Sequence, residues 1–513
     1  MIKSISKIST LLWCGLVFFF FNAVYSMPGG GRRMSNRVDW FHKAGWGVFT
    51  HYLTGADTTA DEWNKLVDGF DVEGLAKQLE LVGAKYYFIT IGQNSGHYCA
   101  PNSTYDRYVG ISPSKCSRRD LVSDLYEALA PKGIRLLVYL PSGAPDQDPV
   151  AMKALEWKSG RFGYWSHPEG GPDERLANFQ RKWEDVIREW SLRWGKKVSG
   201  WWFDGCYFPD AMYRHPDPPN FASFAAAARA GNPDSILAFN PGVMPPKHPS
   251  LRPDRQLCSI TEHEDYTAGE VADWLVECHG RWVESITRGT ERGSHLAQFH
   301  ILTYLGERWG GGKPRFTDEF ATEYAREIIT NGGVITFDVP IQPNGLIPDQ
   351  FVSQLKAIRD GLSKPPRSVP EGNLACRKPA KILDFSGKNV LWMSTNGGYH
   401  SARYGVDGDP TTWAEPDSEY QWTYQVDLGN LHKLRKVAVT FAPQRFATEY
   451  RISVSPDGAN WHTVAEKRGC TGGREYHEFA PTKARYVRVQ SLKPDAAGQE
   501  GNRMAVAELE AYE

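Results

Sequence analysis

Two rhythms of apolar residues divide the chain. Through residues 38–361, short continuous apolar runs alternate with stretches whose apolar residues recur every three or four positions. The runs are Trp46 to His51, Tyr86 to Ile91, Ile134 to Leu140, Gly200 to Asp204, Ile236 to Asn240 and Gly333 to Phe337. Between them Leu75, Leu79 and Val82 share a helical face, as do Leu121, Leu125 and Leu129, and then Phe179, Trp183, Ile187, Trp190 and Trp194. Strands apolar on both faces and separated by helices predict a parallel sheet covered on both sides. At this length the predicted closure is an α/β barrel, (β/α)8-like and TIM-type. A doubly wound sheet is the second choice, and no GxGxxG follows the first strand to favour it.

Past residue 362 the rhythm changes. Pro365, Pro366, Pro370 and Pro379 mark residues 363–380 as a linker. Beyond them Gln425 to Leu428, Lys436 to Phe441, Tyr450 to Val454 and Ala484 to Val489 mostly alternate polar and apolar residues, with turns such as Pro456-Asp457-Gly458. Half-buried antiparallel strands of this kind predict an all-β sandwich over residues 381–513.

The N-terminus has its own pattern. Lys3 and Lys7 precede an apolar run from Leu11 to Phe21, followed by Val24 and Ser26. A charged start, a short apolar run and a small-residue exit predict a signal peptide over residues 1–26, and the run is too short to span a bilayer. A lipoprotein signal at Cys14 is disfavoured by the bulk of Trp13. The barrel would then occupy residues 27–362 of a secreted or periplasmic protein with no transmembrane segment.

Charge narrows the partners: 59 Lys and Arg against 60 Asp and Glu leave −1, without the basic footprint that nucleic acid requires. The 18 Trp, 23 Tyr and 24 Phe suit a protein that stacks sugar rings, although large cores also consume aromatics. Setting Cys14 aside, Cys99, Cys116, Cys206, Cys258, Cys278, Cys376 and Cys470 remain, an odd set without a CxxC pair, which argues against a zinc cluster. Cys99 and Cys116 are near enough in sequence to clip a loop.

Barrel chemistry sits at the C-terminal ends of strands. That rule selects His51, the loop from Thr90 to His97, Tyr139, Asp204, Asn240 and the Glu262/Glu264/Asp265 group. Asp204 closes the run Trp201-Trp202-Phe203 and precedes Gly205, which reads equally as a carboxylate at an aromatic pocket floor or as a helix cap. Paired carboxylates serve glycoside hydrolysis, one attacking the anomeric carbon and one protonating the leaving oxygen. The alternative for Thr261-Glu262-His263-Glu264-Asp265 is a solvated acidic loop. His51 and His97 lack metal-ligand spacing and read as hydrogen-bonding or core histidines.

Four segments in order resemble glycoside hydrolase family 29, the α-L-fucosidases. They are Gly47-Val48-Phe49-Thr50-His51, Asp61-Glu62-Trp63, Trp202-Phe203-Asp204-Gly205, and Asn331 to Asp338 continuing through Asn344-Gly345-Leu346-Ile347-Pro348. The resemblance implies a retaining glycosidase that removes terminal α-L-fucosyl residues from glycans and needs no catalytic cofactor. It makes Asp204 the nucleophile and Glu262 the acid/base, with Glu264 in reserve. It places His51, Glu62, Tyr139 and Trp202 against the sugar, with Gln93 and Asn94 where the family has a His pair. Asn240-Pro241-Gly242 replaces the family's N-x-R. A site matched to one sugar penalises another through unpaired groups, so α-L-galactose or a substituted fucose is the alternative substrate, and a silent glycan-binding protein the alternative class.

Residues 376–513 resemble a discoidin (coagulation factor 5/8 type C) domain, close to carbohydrate-binding module family 32 and built as a jelly roll. The resemblance rests on Val406 to Trp413, Ser453 to Trp461 and Ala505-Val506-Ala507-Glu508-Leu509. It implies a structural Ca²⁺ with oxygen ligands from Asp407, Asp409, Thr412 and Glu508. Tyr399 and Trp422 are candidates for an aromatic platform or for the core.

Overall fold

The computed structural model describes residues 33–158, 175–207, 209–242, 257–271, 275–276, 278, 280–288, 291–365, 371–384, 386–387, 402–416, 420–495 and 500–513. The expected signal peptide, Tyr399 and the prolines at 366 and 370 lie outside these residues.

Seven parallel strands form one curled sheet: β1 (Trp46–Thr50), β2 (Tyr86–Thr90), β3 (Arg135–Pro141), β4 (Val198–Asp204), β5 (Ile236–Phe239), β6 (His300–Tyr304) and β7 (Val334–Asp338). Their order is β5-β4-β3-β2-β1-β7-β6. The gap between β6 and β5 is bridged by the irregular segment 265–271. On one side Asp265 N donates to Leu237 O at 2.9 Å. On the other, Thr267 N donates to Gln298 O at 3.0 Å and Val271 N to Leu302 O at 3.0 Å. The result is the expected barrel, closed by an eighth segment that is not a regular strand.

Helices pack outside, and their sequences explain where they begin and end. α1 (Ala60–Asp68) opens with a capping box at Thr59 and Glu62, and α2 (Val72–Val82) opens on Asp71 and stops at Gly83, whose φ is +77°. α3 (Leu121–Leu129) and α4 (Ala177–Trp194) bury the predicted stripes, including Trp183, Trp190 and Trp194. α5 (Phe221–Ala228), α6 (Asp318–Thr330) and α7 (Asp349–Leu362) follow.

One apolar cluster lies between sheet and helices, and a smaller one fills the barrel with Phe49, Phe88, Leu137, Tyr139, Trp202 and Tyr266. The interior also holds a polar chain: Tyr86 Oη is 2.8 Å from Thr336 Oγ1, and His300 Nε2 is 2.7 Å from the same oxygen. Burial holds the His300 imidazole well below its ordinary pKa, at about 3. It is a core histidine.

The second unit is an antiparallel sheet of β8 (Ala380–Leu383), β9 (Thr423–Phe441), β10 (Glu449–Ser455), β11 (His462–Arg468), β12 (Arg474–Ser491) and β13 (Val506–Tyr512), with its own core. Part of the expected linker already belongs to it, since Leu374 N donates to Ala511 O at 2.8 Å and Arg377 N to Val406 O at 2.6 Å. The two units touch: the Tyr404 ring lies 5.0 Å from Phe320 of α6, and Arg403 pairs with Glu327. All seven described cysteines are buried and no disulfide joins any two of them, Cys99 and Cys116 included. No helix among the described residues is long and apolar enough to cross a membrane.

Candidate active site

Strand ends deliver a connected polar cluster. Asp204, the last residue of β4, is half-buried and accepts from several sides. Its Oδ2 accepts the Tyr139 hydroxyl at 2.6 Å, and its Oδ1 accepts the Gly205 N–H at 2.8 Å, Asn240 Nδ2 at 2.8 Å and the Tyr207 hydroxyl at 3.4 Å. Tyr139 comes from β3 and in turn accepts from Gln93 Nε2 at 2.7 Å. Burial, and then the nearby Asp204 charge, push the Tyr139 hydroxyl far above the ordinary phenol value, so it stays a donor.

Asn240 follows β5, its N–H on Phe203 O at 2.7 Å and its side chain buried. Its Oδ1 accepts the Gly242 N–H at 3.0 Å, which fixes the amide with Nδ2 facing the site. That one nitrogen reaches two acids, Asp204 Oδ1 at 2.8 Å and Glu270 Oε2 at 2.7 Å. Laid end to end those lengths limit the separation of these two carboxylate oxygens to at most about 5.5 Å, short of the inverting range. Burial, and next the charge of Asp204, raise the Glu270 carboxyl above its ordinary range. Asp204 thus gathers donors from several sides, while burial and the Asp204 charge push Glu270 to keep a proton.

Glu270 was not the expected partner. Glu262 is 63% exposed and lines a different pocket of about 480 Å³ with Ser35, Arg37, Arg229, Asp234 and Asp265. The cause is local. Glu264 is buried and accepts the N–H groups of Phe239 (2.9 Å), Ile260 (2.5 Å) and Thr261 (3.2 Å), which folds the 260–264 turn back against β5. Asp265 accepts Leu237 N at 3.0 Å and pairs with Arg229 and the Ser35 hydroxyl, pinning the next residue at the start of β5. Glu262 is left outside, and Glu264, the reserve, is a structural carboxylate.

Of the residues expected to contact sugar, His51, Gln93 and Tyr139 converge on this cluster. The His51 and Tyr139 rings lie 6.0 Å apart, and Trp309 is 6.0 Å from His51 on another side. Trp202 is instead buried behind Tyr139, stacked at 5.3 Å, with its indole N–H donated to Ala268 O at 3.0 Å. It is a floor for the tyrosine and offers no face to a ligand. Glu62 is exposed, its Oε2 engaged by the Thr59 N–H and hydroxyl, both at 2.8 Å, which hold its carboxyl below the ordinary range. Asn94 is exposed beside Gln93. Glu270 and Trp309 escaped the sequence reading, and Asp338 entered it only as the end of a family-like segment.

In the second unit, Asp407, Asp409, Thr412 and Glu508 do come together. Thr412 Oγ1 donates to Asp407 Oδ2 at 2.8 Å, Asp409 N to Asp407 Oδ1 at 2.8 Å, and Gly408 N to Glu508 Oε2 at 3.0 Å. Glu508 Oε1 is buried without a hydrogen-bond partner. Burial, with the mutual charge of the acids, pushes Asp407 up to about 7 and Glu508 up to about 8. The described residues hold no ready-made group of three or more His, Cys, Asp or Glu around one metal position. Trp422 is a core residue, its indole N–H on Met504 O at 3.1 Å.

Residues 391–509 match the F5/8 type C domain. A putative α-L-fucosidase from Bacteroides thetaiotaomicron is 14% identical with a TM-score of 0.46, over 95% of this chain and 99% of that one. A family 29 fucosidase from Ruminococcus gnavus, solved with fucose, is 14% identical with a TM-score of 0.42, over 95% and 97% of the two chains. An endo-fucoidan hydrolase of glycoside hydrolase family 107 is 17% identical with a TM-score of 0.47, over 66% of this chain and 97% of that one. No match is found among curated proteins.

Proposed function

We propose that the protein is an exported retaining glycoside hydrolase, with Asp204 as nucleophile and Glu270 as acid/base. The observation that carries this is the single Asn240 amide shared by the two acids. In the first step an Asp204 oxygen bonds to the anomeric carbon while the glycosidic C–O bond breaks, and the leaving oxygen takes the Glu270 proton. In the second, Glu270 removes a proton from water, whose oxygen displaces Asp204 and restores both groups. The four segments resembling α-L-fucosidases favour a terminal α-L-fucoside as substrate. Gln93, bonded to Tyr139, supplies an amide where that family has imidazole, so α-L-galactosides belong in the same test. Turnover of aryl α-L-fucoside and α-L-galactoside, with the first-formed anomer read by NMR, checks the reading. Retention supports it, and inversion or the absence of turnover on both defeats it.

The second unit is proposed to bind glycan and to hold Ca²⁺. A hard cation would be held by Asp407 and Glu508, with the Asp409 and Thr412 oxygens beside them, and would relieve the buried Glu508 oxygen and the crowded acids. Calcium should raise the melting temperature of the intact protein, and Glu508→Gln should remove the rise; a melting temperature indifferent to calcium rejects the site.

A further inference from the structure

The reaction just described leaves Asp338 unused, although it lies at the mouth of the barrel and is fully buried, at 0% exposure. It ends β7, paired with Phe49, so it stands beside the end of β1 from which His51 projects. Its Oδ1 is 2.9 Å from His51 Nδ1, and its Oδ2 accepts the Gly310 N–H at 2.6 Å. Gly310 reaches it through a tight turn in which Arg308 and Gly311 exchange backbone hydrogen bonds of 3.4 and 3.1 Å. The turn needs glycine at 310, where φ is +60° and a Cβ would stand 3.3 Å from His51 Cβ. Phe49 packs against the imidazole at 4.7 Å, with Tyr139 and Trp309 on its other sides. The ring is therefore held, and with Nδ1 engaged its 18% exposed edge carries Nε2.

We propose that Asp338 is a positioning residue: it keeps the His51 proton on Nδ1, so that Nε2 presents a lone pair that accepts a hydroxyl O–H of the substrate sugar. The identity of the sugar rests on the glycosidase reading above, but the tautomer does not. The partner of one ring nitrogen sets the proton on the other, and a carboxylate only accepts. An asparagine at 338 would do the reverse. The Gly310 N–H can only donate, so it would claim the amide oxygen and turn the NH₂ toward Nδ1, moving the imidazole proton to Nε2. The same Asp-to-Asn inversion disables the histidine of a serine-protease triad while leaving its geometry intact.

The test is imidazole ¹⁵N NMR on protein labelled at its 14 histidines, with His51 assigned by its loss in His51→Gln. The wild-type protein should show Nδ1–H at His51, and Asp338→Asn should show Nε2–H. On the substrate that is turned over, Asp338→Asn should lower kcat/KM by roughly 10- to 100-fold. Within a monodeoxy series, one sugar should lose a similar factor with wild type and none with Asp338→Asn. Nε2–H in the wild-type protein overturns the proposal outright, even if the variant fails to fold. An unchanged deoxy profile in a folded Asp338→Asn protein overturns the role in recognition. A correct tautomer in a protein that cleaves no glycoside would instead sink the glycosidase reading and leave the lock standing.

Discussion

Glu264 and Glu270 lie on the same short stretch of chain, the first buried and the second half-buried, and their partners set them further apart. Glu264 faces three backbone N–H groups, donors that never move and never lose a proton. Glu270 faces one side-chain amide that it shares with a second acid. The first arrangement fixes a turn. The second leaves a proton poised between two states, because burial and then the neighbouring charge oppose ionisation while the amide favours it. What separates the two acids here is the kind of donor each meets and whether another carboxylate is within reach.

The sharpest way to break this contrast is Asp204→Ala. Loss of the nucleophile should lower kcat by roughly 10⁴-fold or more with the melting temperature little changed. A folded variant with near-normal turnover would remove Asp204 from the chemistry. Glu270→Gln should come next, losing roughly 10²- to 10⁴-fold on glycosides with poor leaving groups and much less on activated aryl glycosides. Its pH profile should change as well. On the proposed reaction Glu270 must be protonated to act as acid, and burial and the Asp204 charge raise its pKa, so activity should persist above the ordinary carboxylate range and fall as pH climbs through the shifted value. Glu270→Gln should lack that alkaline limb, and a retained limb would assign it to another group.

Glu264→Ala should reverse the pattern. Stripping the partner from three N–H groups should cost about 2–4 kcal/mol of stability, visible as a lowered melting temperature, while kcat of the folded fraction stays close to wild type. If its kcat fell as far as that of Glu270→Gln, the division between the two acids would be wrong. The smallest effect belongs to Glu262→Ala, an exposed acid on a separate pocket, with stability within about 0.5 kcal/mol and unaltered kcat. A large drop in kcat would return the acid/base role to Glu262.

Much of this architecture is legible before folding because six strands are nearly pure apolar runs and the main helices carry stripes at helical spacing. Asp204 is legible for the same reason, as an acid at the end of such a run. The strand His300–Tyr304 is not, since the barrel interior asks it for His300 and Thr303. Glu270 hides more completely. Its segment pairs only through isolated bridges, and it contains Gly269, at φ +62°, where a Cβ would meet His300 O at 1.9 Å. No periodicity survives in such a stretch, so attention falls on the denser acids a few residues earlier. Glu62 and Trp202 stand apart from the cluster around Asp204. Each sits on the right element, but a capping box and a carbonyl inside the barrel had already engaged their polar atoms.

The eighth segment of the barrel has a consequence for how such an enzyme can change. Asp204, the proposed nucleophile, stands on a strand laddered to neighbours on both sides, where any shift in register would reposition half the sheet. Glu270, the proposed proton donor, stands on a stretch fastened at a handful of points. Insertions, deletions and exchanged acids can accumulate there while the other seven strands keep their places. A lineage built on this frame is free to move its acid from one position to the next, and so to try new leaving groups and new glycans, with its nucleophile held still.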